Sequence, residues 1–573
     1  MNIITIIAGF TMNTPNSINI WKKYSNHISL IVLITVISLI TYYRITIQFE
    51  MGPLSDSCDF LSNALVFAGQ NMSYFDSTRP PFFSFLLSLI FRTGYISANA
   101  IFILDGLMYI FGVVGLFFLF KLRFNDIQSF LGALLFATFS EVLAYLSVGF
   151  ADIASVSLTI WAFYFLILAV KKEGTFFYLA FPFAMLAFLT RYNNALIIFP
   201  IFLYILINRH EIKNVKHLFA GILSSFLFII PVFIFFFEKF GNAFYPFMSA
   251  FGTTSTTHLA ESAAYDSNLF FFIDKLPSFI GLEGIIALFI IAVGLLIYGF
   301  LKLKRNSIDK KKLFDIFKVR KNSTKLKLTL FVVLLLIFVF SFGQILSYFS
   351  EVLFFILAYL FYDLVKNLNV KDMDMHLLFF AWFMAFFIFH SVLSIKDNRY
   401  FIIMAPPIAH FIIFGLTEIS NHLKFKIRGH NATFPIITVI LTAIILLSTA
   451  SYLPVIQQAN VDNKITNEQI VLVCEWFVNY DPNYKNTVIY SDLWPYFGWY
   501  LKTNVNPMPV FINGKSYSGG VKKFKITPQD NMEYNKELND DNADYYFCIR
   551  KGLNLTSYKP IKTFGNLIIY KRL

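Results

Sequence analysis

Thirteen apolar runs, most close to the ~20 residues a helix needs to cross the hydrocarbon of a bilayer, decide what this chain can fold into. They lie near 28–48, 96–120, 127–147, 153–170, 175–190, 194–208, 217–237, 278–301, 328–348, 351–366, 375–394, 400–418 and 434–452. Lipid offers no hydrogen-bond partners to a bare backbone, so such runs must be helices. The expected fold is an α-helical polytopic membrane protein of about 13 transmembrane helices. Its least regular part is the pair at 175–208, whose short halves are separated only by Thr190-Arg191-Tyr192-Asn193. Charged residues make up 14% of the 573, against roughly 25% in soluble domains. The formal net charge of +13 does not signal nucleic acid, because the cations sit in short loops between apolar runs.

Those cations set the orientation, since cytoplasmic loops hold the excess of Lys and Arg. Lys121 and Arg123, Lys171 and Lys172, Arg209, Lys213 and Lys216, and above all the eleven Lys/Arg of 302–327, fall on one side. This reading puts the N-terminus in the cytoplasm, as an uncleaved anchor, and the C-terminus outside a cell membrane crossed many times. Residues 1–452 then form the transmembrane domain, with outer loops 49–95 and 238–277. Residues 453–573 form a small extracytoplasmic α/β domain. In that tail, Asn467-Glu468-Gln469 opens an expected capped helix over 467–480. Strands are expected at 487–490, 545–549 and 567–570. Three cysteines are too few for a disulfide scaffold, and Cys474 with Cys548 is the one pairing the tail allows. Trp494 and Trp499 are expected to pack this domain.

Ionisable groups in or beside membrane spans cost at least ~2.5 kcal/mol at a helix centre and need a reason. At the outer rim the sequence gathers Asp56 and Asp59, Arg79 before Pro80-Pro81, Glu141, Asp152, Arg191, and Lys396-Asp397-Asn398-Arg399-Tyr400, with Asp105 deeper in the second span. Acids and arginines converging on one face suit transfer from a lipid-linked phosphate. Arginine binds phosphate through two nitrogens, a carboxylate takes the proton of an attacking hydroxyl, and fixed cations stabilise the departing anion.

In this order the motifs resemble those of the integral-membrane GT-C glycosyltransferases that use polyprenyl-phosphate sugars. The branch is that of protein O-mannosyltransferases and aminoarabinose-lipid A transferases, over roughly residues 28–420. The residues are Asp56-Ser57-Cys58-Asp59-Phe60, Arg79-Pro80-Pro81-Phe82, Gly149-Phe150-Ala151-Asp152, Leu186 to Arg191, and Asn398-Arg399-Tyr400 with Pro406. Ser57 stands where the family usually has Glu, and Asp59, about one turn along a helix, is placed to compensate. The resemblance implies an inverting, mannosyltransferase-like transfer of a sugar to a protein, glycan or lipid acceptor at the outer face. Asp56 would act as base with Asp59 beside it, and Asp152 would orient the acceptor or a cation. Arg79, Arg191, Arg399, Tyr400 and Glu141 would hold the lipid phosphate and sugar. It implies no certain cofactor and leaves a divalent metal open, with Asp56, Asp152 and His258 as candidate ligands.

Two other activities are compatible with the span count. A transporter or flippase of lipid-linked sugars places polar groups at mid-membrane in related halves; here the charges lie at the rim and no repeat occurs. An oligosaccharyltransferase carries a Trp-Trp-Asp acceptor motif, which Ser491-Asp492-Leu493-Trp494-Pro495-Tyr496 approaches only in the wrong order.

Overall fold

The computed structural model describes residues 15–70, 74–248, 262–304, 322–366, 371–423, 425–427, 430–517 and 524–573. Among them are ten helices long and apolar enough to cross a membrane, from Asn26–Met51 to Thr433–Ala459. Three shorter apolar helices, Asp126–Thr138, Gly174–Thr190 and Tyr192–Ile207, fall on the remaining expected runs. A fourth, Pro81–Phe91, follows Pro80 with Pro81 at its first position. That position needs no amide hydrogen, and the ring pre-sets the helical φ. Most of the cationic segment 302–327 and His258 lie outside the described residues.

The run 127–147 is not one helix. Asn125 and Gln128 close a capping box at the start of Asp126–Thr138. The helix then stops at Phe139, whose backbone is extended (φ −51°, ψ 133°), and a short helix Ser140–Tyr145 follows. The carbonyls freed at the end of that short helix are taken by the fully buried Arg44, which donates from Nε to Leu143 O (3.1 Å) and from Nη2 to Ala144 O (3.0 Å). An arginine from the first span thus meets the hydrogen-bond demand of a break that lipid could not satisfy.

The last long helix, Thr433–Ala459, leads through Asn460 into Val461–Tyr480. The expected cap at Asn467 is therefore wrong: this residue sits inside the helix. Its Nδ2 instead donates to Met51 O (3.0 Å) and Pro53 O (2.9 Å), closing the end of the first span. Beyond it, a five-stranded sheet runs in the order Asn506–Pro507, Ile489–Ser491, Tyr545–Cys548, Leu567–Arg572, Tyr558–Phe564. The first three are parallel and the last two antiparallel, with Tyr545 opposite both Ile489 and Lys571. The expected strands at 487–490, 545–549 and 567–570 are present within two residues. Cys474 and Cys548 are buried in separate cores and unpaired.

One core joins the tail to the first outer loop. Cys58, Leu61, Phe83 and Phe91 pack with Ile470, Phe477, Phe497 and Phe547. The Trp499 ring stacks on that of Phe91 at 6.0 Å, so it fastens the tail to the loop as well as packing the domain. Burying such aromatics contributes roughly 1.5–3 kcal/mol each, which fixes the tail over the loop that carries Asp56.

Candidate active site

Asp56 lies in the first turn of helix Ser55–Phe67, beyond the first span. Its Oδ1 accepts from Arg79 Nη2 at 2.8 Å and its Oδ2 from Arg399 Nη1 at 2.5 Å, although Arg399 is 343 residues away in the chain. The cluster extends on both sides. Arg79 also meets Asp59 Oδ2 from Nη2 (2.5 Å) and Nε (3.0 Å), and its Nε lies 3.2 Å from Asp76 Oδ2. Arg399 Nε lies 3.0 Å from Asp397 Oδ2. Helix geometry explains the pairing of 56 with 59, since residues three apart share a face. Ser57 is turned the other way and donates to Val148 O (2.8 Å). Asp59, one turn beyond Asp56, supplies the second acid of the cluster.

Burial disfavours a charged Asp56, but Arg79 and Arg399 outweigh it and hold the carboxyl well below the usual carboxylate range. Asp59 is only 4% exposed and shares its guanidinium with two other acids, so burial pushes it above its usual value. One face of the cluster is thus a fully ionised carboxylate pinned by two cations, and the other is an acid whose charge is costly.

Behind Asp56 lies a second arginine group. Arg191, extended after helix Phe177–Thr190, pairs with Asp152 in the first turn of Ala151–Lys171. Its guanidinium lies over the Tyr400 ring at 5.5 Å, and that of Arg399 over Phe150 at 5.1 Å. Tyr400 itself stacks on His390 at 4.3 Å. Such stacking orients guanidinium groups without consuming their hydrogen bonds. The turn that delivers Asp152 is held by Asp105, whose Oδ2 accepts from Gly149 N at 3.2 Å. Gly149 has φ +84°, and a Cβ there would stand 2.9 Å from Ile101, so the turn requires glycine.

The structure therefore brings together Asp56, Asp59, Arg79 and Arg399, with Arg191, Asp152 and Tyr400 adjoining through Arg399 and its neighbours. Glu141, buried in helix Ser140–Tyr145, joins none of these ion pairs. Tyr145, one turn along, reaches the cluster instead, donating to Asp397 Oδ1 at 3.3 Å. Lys396 is also outside it: its ammonium closes the preceding helix by donating to His390 O, Ser391 O and Leu393 O. Sequence reasoning missed Asp76, whose loop is clamped by Asn63 through Nδ2 to Asp76 O (2.8 Å) and Oδ1 from Asp76 N (2.9 Å). Its one sequence signal is its place three residues before Arg79.

The candidate metal ligands do not fit a divalent cation. Both oxygens of Asp56 face guanidinium groups, Asp152 faces Arg191, and His258 is outside the described residues. No group of three His, Cys, Asp or Glu suited to a metal occurs among the described residues.

In front of Asp56 opens a cavity of about 1320 Å³. Every lining residue belongs to 55–79 or to 492–551, so it is walled by the first outer loop on one side and the tail on the other. Asp56 sits between this cavity and the Arg399 group.

Residues 78–235 match the family model described as dolichyl-phosphate-mannose-protein mannosyltransferase. A comparison with curated protein sequences finds no match. Among solved structures, ArnT from Cupriavidus metallidurans bound to undecaprenyl phosphate is similar with a TM-score of 0.53 at 9% identity, over 95% of this chain and 98% of that one. The same protein in the apo state gives 0.53 at 10% identity, with the same coverage. The archaeal oligosaccharyltransferase AglB from Archaeoglobus fulgidus gives 0.48 at 10% identity, over 92% of this chain and 70% of that one. The chain is a multi-pass membrane protein with the fold of the GT-C integral-membrane glycosyltransferases.

Proposed function

We propose that this membrane fold works as an inverting glycosyltransferase, moving one sugar from a polyprenyl-phosphate donor to a hydroxyl acceptor at the outer face. The observation that carries the reading is Asp56, held between arginines from distant elements at the boundary of a cavity. A base, cations for a leaving phosphate and room for an acceptor are the parts such a transfer needs. The likeness to ArnT, crystallised with undecaprenyl phosphate, supports a donor of that chemistry. The match of 78–235 to the mannosyltransferase family model supports a hexose such as mannose as the sugar.

In this mechanism the donor phosphate enters beside Arg399, Arg191 and Tyr400 and takes over guanidinium nitrogens now spent on Asp56 and Asp152. That exchange releases an Asp56 oxygen and lets its proton affinity rise toward the ordinary carboxylate range. The acceptor hydroxyl approaches from the cavity side. Its oxygen bonds to the anomeric carbon as the bond from that carbon to the phosphate oxygen breaks. The hydroxyl proton passes to Asp56, and the bonding electrons leave with the lipid phosphate, whose gained negative charge the arginines stabilise. Attack opposite the leaving group inverts the anomeric centre. Asp59 keeps Arg79 in place, and Asp152 does the same for Arg191. The N-terminus is cytoplasmic and the tail extracytoplasmic. This orientation is supported by the Lys/Arg excess of the loops at the helix ends opposite Asp56, which include Arg123 and Lys171.

The test is transfer of labelled sugar from a polyprenyl-phosphate donor by purified protein. Asp56→Asn is expected to lower the rate about 10²–10⁴-fold, the usual contribution of a general base, while donor binding persists. Undiminished transfer by this variant refutes the assignment.

A further inference from the structure

The tail wall of the cavity has no role in the chemistry above, yet it is built with care. Asn513 (φ 51°) and Gly514 (φ 74°) turn the hairpin of Val510–Ile512 and Lys515–Tyr517. Left-handed backbone at both positions matches a two-residue hairpin turn. The hairpin is pinned from behind: Asp530 Oδ1 accepts from Gly514 N (2.9 Å), and Tyr534 Oη accepts from Phe511 N (3.2 Å). Its Tyr517 lines the cavity, as does Trp494 from the start of helix Trp494–Leu501.

The polar members are equally fixed. Asp492, 2% exposed, accepts from Tyr546 Oη (2.8 Å), Ile549 N (2.9 Å) and Arg550 Nε (2.9 Å). Arg550 is further held over the Tyr534 ring at 5.5 Å. Asn504 and Asn506 present side-chain amides joined at 3.0 Å. The edge strand Asn506–Pro507 borders the cavity, but it cannot receive a peptide strand along 507–509. Pro507 and Pro509 have no amide hydrogen, and Met508 N is spent on Ser491 O at 3.0 Å. What remains are aromatic rings, amides and an oriented guanidinium, the groups that suit the apolar faces and hydroxyl rims of sugar rings. The volume exceeds the roughly 300–1,000 Å³ of a drug-sized pocket, so there is space for several rings. The lining contains no residue of a membrane span, so the occupant arrives from the aqueous side.

We infer that this cavity is an acceptor subsite for a carbohydrate chain, bound between the tail domain and the first outer loop with its terminal hydroxyl at Asp56. The inference rests on the transfer reading for the reaction but not for binding, and the two are separable by experiment. Full-length protein carrying Asp56→Asn, in lipid nanodiscs, is presented to an array of immobilised neutral and acidic oligosaccharides and, in parallel, to an array of Ser/Thr-containing peptides. Oligosaccharides are expected to bind, with affinity rising with chain length. Tyr517→Ala and Trp494→Ala, each made in that background, are expected to weaken this binding about three- to tenfold, the loss of one ring contact. Saturation-transfer NMR on the unaltered protein with a captured oligosaccharide reads the same contact without any variant. Binding of peptides with no oligosaccharide bound overturns the inference, even if sugar transfer to those peptides upholds the enzyme assignment. So does oligosaccharide binding that neither substitution weakens. Oligosaccharide capture with no transfer by the wild type from any polyprenyl-phosphate sugar leaves the subsite standing and overturns the enzyme assignment instead.

Discussion

Replacing Arg79 by alanine removes the group that three carboxylates share. Asp56, at 20% side-chain exposure, keeps Arg399, and Asp76, also at 20%, keeps water and Thr78. Asp59, at 4%, keeps nothing ionic. Breaking a buried pair by removing one partner costs about 3–5 kcal/mol. Arg79 is 27% exposed, so the expected loss is nearer 2–3 kcal/mol. Most of this belongs to Asp59, so Asp59→Asn in the same chain should recover over half of it, while Asp59→Asn alone should cost little. Burial already raises the Asp59 pKa, and loss of Arg79 raises it further. A carboxyl raised in the folded state destabilises progressively above its unfolded value, near 4. The Arg79→Ala defect should therefore shrink as pH is lowered from 8 toward 5. Thermal unfolding of detergent-solubilised protein, followed by tryptophan fluorescence at several pH values, measures all three variants. Equal destabilisation of the single and double variants at every pH would refute the reasoning.

Two further outcomes follow from the same geometry. Asp56 is held below the usual carboxylate range while both arginines grip it and recovers toward that range when phosphate takes Arg399; the acid limb of kcat/KM, which reports free enzyme, should thus lie at lower pH than the acid limb of kcat, and coincident limbs would argue against the exchange. Asn467→Ala leaves two buried carbonyls, Met51 O and Pro53 O, without their donor; a loss of about 1–3 kcal/mol is expected, read as faster amide exchange across 51–56, with no effect on the loops at the other end of the bundle.

The spans were legible because lipid imposes one rule on all of them, a long apolar run with its hydrogen bonds inside. The break at Phe139 was not, because neither proline nor glycine marks it. The short helix that follows it ends on carbonyls at Leu143 and Ala144 whose donor, Arg44, comes from another span. Asn467 misled for a related reason: its type suits a cap, but its partners at Met51 and Pro53 are set by how the tail docks. In the site, residues at helix spacing or beside prolines could be found, as with Asp56, Asp59 and Arg79. Asp76 and the tail wall could not, since their positions relative to Asp56 depend on a loop clamp by Asn63 and a hairpin pinned by Asp530. Glu141 looked equivalent to the other rim acids in sequence, but in the short helix Ser140–Tyr145 it joins none of their ion pairs, and Tyr145 of that helix bonds Asp397 instead.

The proposed transfer turns on arginines that trade a carboxylate for a phosphate. A cryo-EM structure of the protein with bound polyprenyl phosphate measures that directly. The phosphate is predicted to lie on Arg399 with Arg191 or Arg79 beside it, and Asp56 Oδ2 to be parted from its 2.5 Å contact and open to the cavity. A phosphate seated elsewhere, with Asp56 still gripped by both guanidinium groups, would contradict it.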